Sequence, residues 1–188
     1  ANGHCYSKIV FSQERETLSP MSTPSHDKIA ILDCGAQYTK VIDRRIRELN
    51  VESEIFPLDI DPTQLKQGFC GVILSGGPFS VYETDAPSFH PGLFDLPIPI
   101  LGICYGMQLM NRACGGGVAP GTIKEYGETL IEVDPKTPLF EKLSATQRVL
   151  MSHGDHVDRL APGFQASAYS GEIIASILHP EKRYYGVQ

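Results

Sequence analysis

Pro97-Ile98-Pro99-Ile100-Leu101-Gly102-Ile103-Cys104-Tyr105-Gly106 is an apolar run that turns abruptly at a cysteine set between two glycines. Residues 97–103 carry no charge and fit a strand buried on both faces. Tyr105 to Ala113 reads as a helix, closed by the three glycines 115–117. A strand that feeds a helix through Gly-x-Cys-x-Gly must turn sharply, and a Cβ two residues before or after the cysteine would crowd that turn. Such an elbow presents Cys104 outward. A thiol at the first turn of a helix also faces the positive end of its dipole, which favours the thiolate. The competing reading is a buried strand-end cysteine beside glycines needed only for packing.

Upstream of this stretch, Lys28 to Asp33 fits a short buried strand ending in the turn Cys34-Gly35-Ala36-Gln37. Ile42, Ile46 and Leu49 then recur at helical spacing. Glu54 to Pro57 and Gly71 to Leu74 fit two more strands, the latter running into the loop Ser75-Gly76-Gly77-Pro78. Strands alternating with helices predict an α/β fold, a mostly parallel central sheet with helices on both faces. After residue 120 the pattern becomes strand after strand: Thr129 to Val133, Val149 to Met151, Gln165 to Tyr169, Ile173 to Leu178 and Tyr184 to Gln188. These are expected as extra C-terminal strands on the same domain. Residues 1–27 lack periodicity and are expected to be a disordered tail, with one domain over 28–188. Met21 fits a natural start, and the run ending at Gln188 suggests a domain truncated at its C-terminus.

A chain of 188 residues suffices for one well-filled core. Hydrophobic residues at 41% and charged ones at 20% are ordinary for a globular protein. No apolar run approaches the roughly 20 residues of a membrane span. A net charge of −6 with no basic stripe argues against nucleic acid as a partner. Cysteines 5, 34, 70, 104 and 114 form an odd set without a Cys-x-x-Cys pair. That is the pattern of reduced thiols, and with no secretory signal the expected compartment is the cytosol. His153 and His156 have no further ligands around them in sequence, so no metal site is expected.

The loop Ser75-Gly76-Gly77-Pro78 follows a parallel strand, at the sheet edge where such folds bind ligands. Its free amides could form half of an oxyanion hole, and the N–H of Tyr105 the other half. A plain turn or a phosphate loop would compete, but no Gly-x-x-x-x-Gly-Lys-Ser/Thr pattern occurs in the chain.

Gly102-Ile103-Cys104-Tyr105-Gly106-Met107-Gln108, with Ser75 to Pro78 upstream, resembles the class I, triad-type glutamine amidotransferases. Asp33-Cys34-Gly35-Ala36-Gln37-Tyr38, Ser75 to Tyr82 and Ser152-His153-Gly154-Asp155 narrow the resemblance to the amidotransferase domains of GMP synthetases. It covers about Lys28 to Gln188 and implies a flavodoxin-like sheet. By this resemblance Cys104 is the nucleophile that forms a glutamyl thioester, and Gly77 and Tyr105 supply the oxyanion-hole amides. Gln108 and a loop holding Ser152, Gly154 and Asp155 would bind the amino-acid end of glutamine. Without the family, Gln108 is a solvated helix position and the loop a turn.

In the family a His-Pro-Glu supplying the base follows a Tyr-Gly-Val-Gln-Phe strand. Here His179-Pro180-Glu181 precedes Tyr185-Gly186-Val187-Gln188. His179 to Arg183 is therefore expected as a turn, with the triad His and Glu just beyond Gln188. The implied role is to release ammonia from glutamine for the amination of XMP to GMP. An ATP-pyrophosphatase synthetase domain, fused or separate, would complete the reaction with ATP and Mg²⁺, and no cofactor is expected in this domain. The synthetase Ser-Gly-Gly-x-Asp-Ser loop is absent from residues 1–188. Two alternatives stay open: a related γ-glutamyl cysteine hydrolase, and a non-catalytic glutamine-binding module.

Overall fold

The computed structural model describes residues 28–188, so the expected N-terminal tail lies outside the described residues. Its strands are β1 (Lys28–Asp33), β2 (Glu52–Pro57), β3 (Gly71–Leu74), β4 (Ile100–Ile103), β5 (Gly117–Val133), β6 (Thr146–Arg159), β7 (Gln165–Ser170), β8 (Ile173–His179) and β9 (Tyr184–Val187). Two α-helices, α1 (Thr39–Glu48) and α2 (Tyr105–Ala113), interrupt them. All nine strands form one sheet in the order β2-β1-β3-β4-β9-β8-β7-β5-β6.

The sheet has two characters. From β2 to β9 every pairing is parallel, and from β9 through β8, β7 and β5 to β6 every pairing is antiparallel. The C-terminal strands thus extend the parallel sheet edge to edge. Ala30, Val72 and Ile100 form one row across β1, β3 and β4, and Leu32, Leu74 and Gly102 the next. Period-two alternation puts both rows on one face, and that face carries α2: a Cβ on Gly102 would lie 2.5 Å from the Gly106 carbonyl oxygen. The main core forms here, from Leu32, Leu74, Ile100, Met107, Met110, Ile177 and Tyr184. Ile31 is equally buried and points the other way, where the right-handed β1–α1–β2 crossover places α1. A smaller core of Ile131, Val133, Phe140, Met151, Ala168 and Ala175 lies under the antiparallel half.

Several boundaries differ from the sequence reading, each for a physical reason. The strand expected from Pro97 begins at Ile100, because Pro97 and Pro99 have no N–H to give the ladder. β5 and β6 are long hairpin arms, Gly117–Val133 and Thr146–Arg159, of which the expected strands are only the apolar stretches toward the connecting turn. Ser152 to Asp155, expected as a loop, is inside β6. Its polar, glycine-containing sequence conceals a strand whose ladder is carried by the β5 backbone. Leu49, read as the last apolar position of the helix, is 75% exposed, because α1 ends at Glu48 and the chain turns away at Asn50 with φ +59°.

Candidate active site

Parallel pairing gathers four residues at one edge. Leu32, Leu74, Gly102 and Gly186 are in register across β1, β3, β4 and β9. Two residues further along each strand stand Cys34, Gly76, Cys104 and Gln188. All four lie at the carboxyl ends of the strands, beside the point where β2 and β3 depart on opposite sides of β1, the usual ligand crevice of open α/β sheets.

Cys104 sits there in a backbone conformation that L-residues rarely adopt, φ +50° and ψ −108°. Such geometry costs about 1–3 kcal/mol and persists only where the surroundings enforce it. The enforcement is visible. The Cys104 N–H donates to the Val187 carbonyl at 2.7 Å, and the Cys104 carbonyl accepts from the Gln108 N–H at 3.1 Å, the first turn of α2. Gly106 lies so close to β3 that a Cβ would stand 2.5 Å from the Leu74 carbonyl oxygen. The glycines flanking the cysteine are therefore steric requirements of the elbow.

The thiol is half-buried, and burial pushes its pKa up, against the pull of hydrogen bonds from the Tyr105 N–H and the Gln188 side chain. The Asp155 carboxylate pushes it further up by repelling the thiolate. No histidine is among the groups that shift this thiol, among the described residues. Gln188 Nε2 donates to Cys104 Sγ at 3.3 Å. Gln108, almost fully buried, donates from Nε2 to the Asp155 carbonyl and to Gln188 Oε1, both at 3.0 Å.

The other sequence candidates are placed as follows. Gly77 is wedged between β1 and α2: a Cβ there would overlap the Cys34 carbonyl and approach Tyr105 Cγ to 3.5 Å. Its neighbour Gly76 is the glycine beside Cys104, 3.8 Å from its would-be Cβ to Cys104 Cβ. Tyr105 is buried and its ring packs edge-on to Phe79. Asp155 is fastened to the loop after β3, accepting hydrogen bonds from the Ser80 and Tyr82 hydroxyls. His153 is buried beside it, with Nδ1 2.9 Å from the Asp155 carbonyl oxygen. Gly154 lies opposite the irregularity in β5 between Pro120 and Glu125. Ser152 is not brought to the thiol, since it is exposed on the face of β6 opposite to His153 and pairs with Tyr126.

His179 is far from Cys104. It pairs with Tyr184, which pairs with Ile100 at the start of β4, whereas Cys104 follows the end of that strand. Its ring packs on Phe164 with centroids 5.2 Å apart, and it closes the turn between β8 and β9. Gln188, Ser80 and Tyr82 were not singled out from the sequence. The strand register alone could have found Gln188, since it stands two residues past Gly186 as Cys104 stands two past Gly102.

Among the described residues no group of three or more His, Cys, Asp or Glu side chains could hold a metal ion, and no helix is long and apolar enough to cross a membrane. The family model for class-I glutamine amidotransferases matches residues 30–188. The chain belongs to that family. A probable glutamine-hydrolysing GMP synthase of Caenorhabditis elegans is 49% identical over 177 residues, 92% of this chain and 24% of that protein. A glutamine-hydrolysing GMP synthase of Natranaerobius thermophilus is 44% identical over 166 residues, 87% of this chain and 32% of that protein. The amidotransferase chain thus spans only about a quarter to a third of these curated relatives. The crystal structure of a putative GMP synthase subunit from Thermoplasma acidophilum superposes with a TM-score of 0.76 at 32% identity, over 86% of this chain and 82% of that one. A glutamine amidotransferase from Thermotoga maritima, 22% identical, shares the fold with a TM-score of 0.66 over 87% of this chain and 75% of that one.

Proposed function

We propose that this chain is the glutaminase part of a GMP synthase, releasing ammonia from glutamine for the amination of XMP. The observation that carries the reading is the strained, elbow-borne Cys104 thiol at the sheet's carboxyl edge, with Gln108 and Asp155 fixed beside it. In this reading a base takes the thiol proton and the thiolate attacks the side-chain carboxamide carbon of glutamine. The oxyanion is held by the amides of Gly77 and Tyr105, and it collapses with loss of ammonia, which takes its proton from the base. Water then adds to the glutamyl thioester and releases glutamate, returning the thiol. Asp155 attracts the substrate α-ammonium and Gln108 orients the amino-acid end.

β9 runs parallel to β4 and its carboxyl end emerges beside Cys104, so a base for the thiol would have to approach from that edge of the sheet. His179, at the other end of that strand, cannot serve. ATP and Mg²⁺ act on the synthetase part of the enzyme, in the cytosol. Residues 1–188 lack the Ser-Gly-Gly-x-Asp-Ser loop that would cradle the nucleotide phosphates.

Cys104→Ala in the complete enzyme tests the reading. Glutamine-driven GMP formation and labelling by a glutamine-analogue electrophile should be lost, while GMP formation from added ammonia survives. Stoichiometric labelling of the variant, or equal loss of both activities, would overturn it.

A further inference from the structure

Every amide in the chain linking Cys104 to β6 has its direction set by one backbone oxygen. The Asp155 carbonyl can only accept, so Gln108 must turn its Nε2 toward it, at 3.0 Å. That nitrogen's second hydrogen points to Gln188 at 3.0 Å, which must therefore present Oε1. The remaining end of the Gln188 carboxamide, its NH₂, then faces Cys104 Sγ at 3.3 Å. Neither amide can flip without setting two like ends against each other. His153 Nδ1, 2.9 Å from the same Asp155 oxygen, strengthens the anchor. Gln188 is itself fixed, since its N–H donates to the Ala175 carbonyl at 2.9 Å while the preceding carbonyl accepts from the Cys104 N–H.

We propose that Gln188 is a further residue of the catalytic machinery. Its side-chain N–H favours the Cys104 thiolate over the neutral thiol, and its carbonyl fixes the orientation of Gln108, so that nucleophile and substrate-binding amide are aligned by one polar chain. The proposal rests on the glutaminase reading for its catalytic meaning, but its chemistry concerns the thiol alone. A donor aimed at sulfur favours the anion over the neutral thiol. The charged group acting against it is Asp155 on β6; from α2 the Tyr105 N–H acts with it. Gln188 thus opposes both burial and the Asp155 charge.

The test is the pH profile of Cys104 alkylation by iodoacetamide, read peptide by peptide so that the other cysteines do not contribute. Wild type is compared with Gln188→Met, which removes the donor, and Gln188→Glu, which keeps the shape and replaces donor by anion. Losing a hydrogen bond to a charged group corresponds to about a tenfold change in equilibrium. The Gln188→Met profile should move to higher pH, with alkylation at neutral pH slowed about tenfold, and Gln188→Glu should move further. Unchanged profiles in a folded Gln188→Glu protein would overturn the proposal even if Gln188→Met did not fold. All three proteins are the complete enzyme, and its glutamine turnover is measured in parallel. Shifted profiles without turnover in wild type would sink the glutaminase reading and leave this one standing, while turnover with unshifted profiles would do the reverse.

Discussion

The Cys104 N–H donates to the Val187 carbonyl at 2.7 Å, fastening the elbow to β9, the strand that joins the parallel and antiparallel halves of the sheet. The elbow is therefore enforced from three sides: by β9 through this bond, by β3 through its contact with Gly106, and by the first turn of α2. Its strain is held by backbone contacts, and side-chain substitutions that leave them intact should preserve it.

Gly106→Ala should break it. The added Cβ would stand 2.5 Å from the Leu74 carbonyl oxygen and 2.7 Å from Leu74 Cβ, neither of which can move without shifting β3. Overpacking of this kind costs typically about 1–3 kcal/mol. Urea unfolding should show a loss at the upper end of that range. Gly76→Ala meets nothing closer than 3.8 Å and should leave the midpoint unchanged. Equal midpoints for the two variants would mean that the elbow is not sterically enforced.

His179→Ala separates packing from chemistry. Its ring lies edge-on to Phe164 and Tyr184, with centroids 5.2 and 6.3 Å away. Removing it should lower stability by about 1 kcal/mol. The rate of Cys104 alkylation should not change, because the imidazole is at the opposite end of β9. A large loss of thiol reactivity without a loss of stability would show that His179 acts at the nucleophile.

The parallel half of this fold was legible because short apolar runs ending in glycine turns have few other solutions. Lys28 to Asp33 and Gly71 to Leu74 were bounded correctly from those signals alone. The elbow was equally plain, since two glycines at fixed offsets from a cysteine report a steric constraint that the sequence must satisfy locally. The long hairpin was not. Only part of β5 and β6 covers the smaller core, so their polar arms carry no alternation to mark them as strands. For the same reason Ser152 to Asp155 passed for a loop. The Ser80 and Tyr82 contacts to Asp155 join residues more than 70 positions apart, and such pairings follow from tertiary register rather than local pattern.

Tyr105→Phe should not weaken the fold. The Tyr105 hydroxyl is buried and finds no hydrogen-bond partner among the described residues. Leaving a buried polar group unsatisfied costs about 1–3 kcal/mol. Removing the oxygen while keeping the ring should therefore hold or raise stability, by about 1 kcal/mol in thermal unfolding. The Tyr105 N–H beside Cys104 is unaffected by the change. A clear destabilisation would reveal a partner for the hydroxyl, such as an ordered water.

Asp155→Asn should make the thiol more reactive, although it removes a residue of the proposed substrate site. The Asp155 carboxylate disfavours the Cys104 thiolate electrostatically, adding to burial. Neutralising it lowers the thiol pKa, so the alkylation profile moves to lower pH and the rate at neutral pH rises. Added salt should shrink the difference between variant and wild type, because it screens the charge being removed. Asn keeps the size of Asp but accepts on only one oxygen and without charge, so one of the Ser80 and Tyr82 bonds is weakened and the other has to reverse, the amide NH₂ donating to the hydroxyl. That loosens the link between β6 and the loop after β3, and glutamine affinity should fall at the same time. The two effects therefore run in opposite directions, a faster thiol and a weaker site. A slower thiol in the variant would show that Asp155 supports the nucleophile through structure rather than opposing it through charge.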